Sequence, residues 1–184
     1  MENMYLKLPT IEDKEKWIDF IKEYREDNPI ARPLGYSLDM DYESWLKKII
    51  DNHNEINLHD SRIGTSSYFV MVDDKIVGDV TIRHNIDNYY LSLYGGHIGY
   101  ATRPSERNKG YGTKMLELAL EKCLELGIDN VMVTCREDNI ASAKVIENNH
   151  GVLSEIVEVP AEKSKFKKYW INVKELYNNK EHIK

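Results

Sequence analysis

Two glycines and two basic residues stand close together in the segment Arg107-Asn108-Lys109-Gly110-Tyr111-Gly112. The stretch before it, His97 to Pro104, predicts a strand that ends at its proline, and Thr113 to Leu126 predicts an amphipathic helix. Glycine lets the backbone adopt positive φ and approach a ligand closely. The first N–H groups of a helix lack a partner inside the helix, and the helix dipole favours negative charge there. The order strand, glycine turn, helix therefore indicates an anion site suited to the pyrophosphate of a nucleotide-type cofactor.

The composition is that of a soluble globular protein. The chain has 184 residues, of which 41% are hydrophobic and 30% charged, so we expect a single domain over residues 1–184. No apolar run approaches the ~20 residues of a membrane span, and the N-terminus does not resemble a signal peptide. Two cysteines make no disulfide framework, which favours a reducing cytoplasm. The net charge of −6 argues against nucleic-acid binding and is compatible with a cationic amine as substrate.

The hydrophobic pattern predicts elements in the order β-α-α-β-β-β-α-β-α-β-β. Helices are expected around Trp17 to Tyr24 and from near Asp41, and a hairpin over Tyr68 to Arg83. The predicted last two strands are Val152 to Val159 and Phe166 to Val173. This order is typical of an α/β (α+β) protein that has a mixed sheet with helices on its faces.

The glycine turn matches neither the P-loop nor the Rossmann fingerprint. It resembles the Arg/Gln-x-x-Gly-x-Gly/Ala signature of the GNAT superfamily of N-acetyltransferases. A second motif, Asn139-Ile140-Ala141-Ser142, resembles the family's Asn-x-x-Ser/Ala segment and begins 29 residues after Gly110. The order of elements is similar to the GNAT acyltransferase fold, a central, mostly antiparallel sheet flanked by helices. The chain also resembles a bacterial subgroup of predicted acetyltransferases that carry Gly-Gly-His-Ile-Gly-Tyr.

This resemblance implies acetyl-CoA as cosubstrate and no metal. The pyrophosphate would lie on the glycine turn, and the pantetheine arm would pair with the edge of the preceding strand. The helix beginning near Asn139 would contact the same arm from the other side. The implied cofactor-binding residues are Tyr100, Ala101, Thr102, Arg107, Asn108, Lys109, Gly110, Tyr111, Gly112, Thr113, Asn139 and Ser142.

Several of these residues also have an ordinary structural explanation. Asn139 has the type and the position of a helix N-cap, and Arg107 and Lys109 could be solvated surface charges. Cys135 is expected to be a small core residue rather than a nucleophile, because no activating neighbour is evident.

Acetyl transfer requires an unprotonated amine, a polarised carbonyl and a proton for the departing thiolate. Where many GNAT enzymes carry a glutamate on the fourth strand, this chain has His97. Histidine has an unperturbed pKa near ~6.5 and can accept a proton at neutral pH, so His97 is the predicted catalytic base; a hydrogen-bonded structural histidine is the alternative. The family's usual tyrosine acid is replaced by Ile146, which cannot donate a proton.

The predicted function is an acetyl-CoA-dependent N-acetyltransferase that moves an acetyl group to a primary amine of a small molecule or peptide by direct attack. The alternative, motivated by Ile146 and the missing glutamate, is a catalytically degenerate GNAT domain that binds CoA as a sensor or interaction module. We expect no nucleic-acid or membrane partner, and the sequence is compatible with either a monomer or a homodimer. The acceptor pocket is expected near residues 28–42 and 160–170, whose aromatic residues could line it or belong to the core.

Overall fold

Apolar stretches of alternating or continuous pattern form seven strands in the part of this computed structural model that is described, residues 3–56, 58 and 62–181. The strands are β1 (Met4–Lys7), β2 (Thr65–Val72), β3 (Lys75–Arg83), β4 (Ile98–Thr102), β5 (Asn130–Arg136), β6 (Val152–Val159) and β7 (Ser164–Asn172). The helices are α1 (Lys14–Asp27), α2 (Tyr42–His53), α3 (Tyr111–Glu125), α4 (Ile140–Asn148) and α5 (Val173–Glu181). The predicted order is confirmed through β7, and α5 is an addition.

The strands form two antiparallel sheets. The first has the order β1-β2-β3-β4 and the second the order β5-β7-β6, so β4 and β5 are edge strands of different sheets. The predicted fold class, antiparallel sheet structure flanked by helices, is confirmed. The predicted single sheet is divided where β4 approaches β5, and that division positions the site.

Two hydrophobic clusters lie on opposite faces of the first sheet. Val80 and Ile82 of β3 pack in a cluster with α3, α4 and strands of the second sheet. The other cluster is covered by α1 and α2 and is largely aromatic: the Trp17 ring stacks on Phe69 at 4.6 Å and on Trp45 at 5.6 Å between centroids. Because side chains alternate along a strand, residues next to Val80 in sequence point towards the α1 and α2 side.

Local signals set the helix ends as expected. Helix α2 begins after Asp41, whose Oδ2 accepts the Ser44 N–H at 2.8 Å. Helix α3 ends before Gly127, which has the left-handed φ of +75° that favours glycine. None of the described helices is both long enough and apolar enough to cross a membrane.

The predicted end of the last strand was wrong. The last strand was expected to reach Val173, but it ends at Asn172, whose Oδ1 accepts the Glu175 N–H at 3.0 Å and starts α5. The sequence from Tyr89 to Tyr94 is expected to lead into the strand around Ile98, and it contains most of a π-helical turn, Leu91–Gly95. The polar sequence from Asn52 to Ser67 predicts a longer connection, of which residues 57 and 59–61 lie outside the described residues.

Candidate active site

Strands β4 and β5 meet at one point and are separate beyond it. The His97 N–H donates to the Met132 carbonyl at 2.8 Å, and the Met132 N–H donates to His97 Nδ1 at 2.9 Å. Past this point the described residues show no further backbone hydrogen bond between the two strands. The Tyr100 hydroxyl instead contacts Ser142 Oγ of α4 at 2.9 Å. The outer edge of β4 therefore presents peptide groups to the gap, as an unpaired strand edge does.

The turn between β4 and α3 contains two left-handed residues. Asn108 has a φ of +63° and Gly110 a φ of +79°. A Cβ at Gly110 would meet no atom within 4 Å, so backbone conformation rather than space favours glycine there. At Gly112 a Cβ would lie 3.1 Å from Val145 Cγ2, so this glycine brings α3 close to α4. The two glycines thus set the direction of the turn and the packing of the helix behind it.

A cleft opens where the edge of β4 and the first turns of α3 and α4 face each other. All the predicted cofactor-binding residues line it except Ala101 and Lys109. Tyr24 of α1 and Glu106 of the turn complete its wall. The full lining is Tyr24, Tyr100, Thr102, Glu106, Arg107, Asn108, Gly110, Tyr111, Gly112, Thr113, Asn139, Ala141, Ser142 and Val145.

The basic side chains of the turn are held by carboxylates of the chain itself. Arg107 Nη2 donates to Asp27 Oδ2 at 2.8 Å, and both side chains are 42% exposed. Lys109 Nζ donates to Glu106 Oε2 at 2.6 Å, and Lys75 donates to the other oxygen of the same carboxylate. These two lysines hold the pKa of the Glu106 carboxyl below its usual value. An anion bound at this turn would compete with these carboxylates for the two cations.

Helix α1 anchors the turn through a row of acidic residues that sequence analysis missed. Arg103, buried just after β4, donates from Nη2 to Asp19 at 2.7 Å and from Nε to Glu23 at 2.5 Å. The Ser105 N–H donates to the other Glu23 oxygen at 2.8 Å. Asp19, Glu23 and Asp27 recur every four residues and share one helix face, and this spacing was the available signal.

His97 lies at the junction of the sheets and is 6% exposed. Burial and the nearby Arg83 guanidinium lower the pKa of His97 to about 4, so the imidazole is neutral at pH 7. Because Nδ1 accepts the Met132 N–H, the neutral ring carries its proton on Nε2. The role of His97 as catalytic base stays a prediction, and both its hydrogen bond and its low pKa count against it.

The residues predicted on α4 and β5 have defined local roles. Asn139 Oδ1 accepts the Ser142 N–H at 3.0 Å and caps α4, and Asn139 also borders the cleft. Its two interpretations are therefore compatible. Ile146, where relatives carry a tyrosine, is fully buried and points into the core. Cys135 is also buried, and burial raises the pKa of its thiol, as expected for a core residue.

The aromatic residues expected near the acceptor pocket divide between core and surface. Tyr36 and Tyr42 are 2% and 1% exposed and belong to the aromatic cluster under α1 and α2. Tyr169 is 1% exposed and belongs to the other cluster. Phe166 packs on Tyr94 with 5.5 Å between ring centroids. The first three residues are thus core residues rather than a pocket wall.

A family model described as "Acetyltransferase (GNAT) domain" matches residues 3–152, most of the chain and all of this cleft. The chain belongs to the GNAT acetyltransferase family. A search of the curated proteins found no significant match.

Solved GNAT structures share the fold at low identity. RimJ from Mycobacterium smegmatis in complex with CoA-disulfide is 18% identical, with a TM-score of 0.69 over 94% of this chain and 83% of that one. The microcin C7 self immunity acetyltransferase MccE, in complex with acetyl-CoA and AMP, is 18% identical with a TM-score of 0.66, over 94% and 93% of the two chains. A Salmonella typhimurium enzyme that modifies the N-terminal serine of ribosomal protein L7/L12 is 15% identical, with a TM-score of 0.66 over 92% and 94%.

Proposed function

We propose that residues 1–184 act as one acetyl-CoA-dependent N-acetyltransferase domain that acetylates a primary amine of a small molecule or peptide by direct attack. The observation that carries this proposal is the cleft between the edge of β4 and the starts of α3 and α4. The backbone groups of the cleft, together with the paired cations Arg107 and Lys109 of the adjoining turn, are the groups that a pyrophosphate followed by an amide-bearing arm requires. The buried free cysteines accord with a reducing bacterial cytoplasm.

The described residues fit acetyl-CoA. Bound there, acetyl-CoA supplies an acetyl thioester. The N–H groups at the start of α3, with Arg107 and Lys109, would hold its phosphates after giving up Asp27 and Glu106. Tyr100, Ala101 and Thr102 would offer backbone groups to the pantetheine amides, opposite Asn139 and Ser142 of α4. Ala101 does not line the cleft, and the role proposed for it requires only the backbone groups of the β4 edge.

The acceptor is proposed to be an amine that is cationic in water. Structural neighbours include an enzyme that modifies an N-terminal serine and a self immunity acetyltransferase, which motivates testing both peptide and small-molecule amines. The net charge of −6 favours the approach of a cation. Because His97 offers no free acceptor nitrogen in its neutral form, we assign it to joining the two sheets rather than to proton transfer.

Two measurements test the proposed function. Calorimetry with acetyl-CoA is expected to show binding, and free-thiol release is expected with at least one amine of a panel. The panel contains spermidine, kanamycin, lysine and a hexapeptide that begins with serine. Binding without thiol release from any amine would favour the CoA-sensing alternative, and a protein that binds no acetyl-CoA would exclude both functions.

A further inference from the structure

Strand β3 carries a buried carboxylate that no described residue compensates. Asp79 is 6% exposed, and its Oδ1 has no hydrogen-bond partner among the described residues. Other buried carboxylates in this protein are paired: Asp13 with Lys7 at 2.5 Å, and Glu106 with Lys75 at 2.5 Å. An unsatisfied buried carboxylate is costly, so its persistence calls for a functional explanation.

The sheet register places Asp79 beside the strand that borders the cofactor cleft. Its Cα lies opposite Ala101 of β4 and opposite Phe69 of β2. Since Val80 faces the core under α3, Asp79 points to the opposite face, towards α1. Ala101 shares that face because its neighbour Tyr100 packs against the α3 cluster. A small side chain on β4 thus lies next to the carboxylate, on the opposite side of β4 from Tyr100.

The charge of Asp79 affects the ionisation of Tyr24 on helix α1. The Asp79 charge contributes to raising the pKa of Tyr24 on α1, after the larger effect of burial. Tyr24 lies in the wall of the cleft, under the Arg107 guanidinium at 6.0 Å from the ring centroid. Arg107 is itself paired with Asp27, and among the described residues no charged group is paired with Asp79. Asp79 does not itself line the cleft, but it lies within electrostatic range of Tyr24 in the cleft wall.

The chemistry of an isolated carboxylate matches a protonated amine. Burial raises the pKa of Asp79 to about 7, the range in which a proton acceptor works well at neutral pH. A cation brought next to Asp79 would supply the charge partner that it lacks, so an alkylammonium gains from binding there. His97, with its acceptor nitrogen occupied, does not offer this combination.

We propose that Asp79 binds the ammonium group of the acceptor and takes its proton; this rests on the proposed acetyltransferase function. One proton of R–NH3+ passes to Asp79, which leaves a neutral amine with a free electron pair. That pair forms the N–C bond to the acetyl carbon, and the C–S bond breaks with its electrons on sulfur. A second proton from nitrogen ends on the thiolate or in water, the third stays in the amide, and Asp79 returns its proton to water.

The test compares Asp79→Asn with Asp73→Asn, the same chemical change at an exposed residue in the turn of the same hairpin. Asp79→Asn is expected to retain acetyl-CoA affinity by calorimetry and to lose about 100-fold or more in turnover of the best amine of the panel. Asp73→Asn is expected to retain both. A turnover for Asp79→Asn within about threefold of wild type would overturn the assignment and leave the proposed function standing. An absence of turnover in the wild-type protein would overturn both.

A measurement on the unmodified protein does not depend on finding a substrate or on the variant folding. Carbon-13 NMR of the aspartate carboxyl groups, assigned through bonds, is expected to show Asp79 titrating near pH 7, as its burial implies. A titration at the ordinary aspartate value, near ~3.9, would show a solvated carboxylate and would exclude the proposed base.

Discussion

At the scale of single residues, burial matters more than residue type in this site. Asp79 and His97 are each 6% exposed, yet burial moves the pKa of Asp79 up to about 7 and the pKa of His97 down to about 4. In both cases desolvation disfavours the charged form. Burial therefore lowers the pKa of the histidine predicted as the base and raises the pKa of a carboxyl group in an apolar strand towards neutral pH.

Asp79 should make stability fall as the pH rises. Its folded pKa of about 7 lies above the value of 3.8 for a free aspartate, so the folded state holds a proton that the unfolded state releases. Between pH 4 and pH 7 the wild-type protein should lose at most about 4 kcal/mol of unfolding free energy from this group. Urea unfolding across this range should show Asp79→Asn gaining on wild type as the pH rises and keeping its advantage above pH 7. Asp73→Asn should follow wild type, and parallel curves for all three proteins would contradict the predicted shift.

Gly110 and Gly127 form a matched pair at the two ends of α3. Both have positive φ, +79° and +75°, and a Cβ at either would meet no atom within 4 Å. Alanine should therefore destabilise both positions by a similar amount, about 1–2 kcal/mol. Only Gly110 borders the cleft, so Gly110→Ala should also weaken acetyl-CoA binding by calorimetry. Equal affinity in the two variants would place the phosphate site elsewhere.

At the scale of secondary-structure elements, the sequence predicted the helix ends that depend on neighbouring residues. The start of α2 at Asp41 and the end of α3 at Gly127 follow from caps and turns that span a few residues. The anchoring of Arg103 on α1 joins residues about 80 positions apart in sequence, and the four-residue spacing of the acidic residues on α1 does not indicate which basic residue they bind. The uncompensated state of Asp79 is equally a product of tertiary packing, so it was invisible in an alternating strand pattern.

The link between α1 and the cofactor turn should be energetically important. Arg103→Ala would remove the hydrogen bonds to Glu23, which is 25% exposed, and to Asp19, which is 69% exposed, and should lower the free energy of unfolding by about 1.5–3 kcal/mol. It should also weaken acetyl-CoA binding, because the turn would lose its anchor. Arg136→Ala, which removes an exposed pair with Asp138, should cost less than about 1 kcal/mol and leave binding unchanged. Chemical denaturation and calorimetry measure both effects, and equal losses in the two variants would argue against an anchoring role.

At the scale of the whole molecule, the division into two sheets creates the site. The junction at His97 and Met132 joins the sheets at one point and leaves the rest of the β4 edge unpaired. Helices α3 and α4 then place their first turns on either side of the gap. The family resemblance predicted a strand edge open to the cofactor, while the hydrophobic pattern alone predicted only a sheet with helices. The site therefore depends both on the hydrogen-bonded junction between His97 and Met132 and on the unpaired edge of β4.

The His97 junction should make the whole fold sensitive to acid. The folded pKa of about 4 lies below the unfolded value of 6.5, so protons bind the unfolded chain first as the pH falls. Stability should be complete above pH 6.5 and decline by up to about 3 kcal/mol towards pH 4. In His97→Gln an amide oxygen can still accept the Met132 N–H, so this variant should fold and lose that part of the acid sensitivity. His150→Asn, at an exposed left-handed position that asparagine tolerates, should retain it. Thermal unfolding from pH 4 to pH 8 distinguishes these outcomes, and an unchanged slope in His97→Gln would mean that His97 is not the buried neutral link between the sheets.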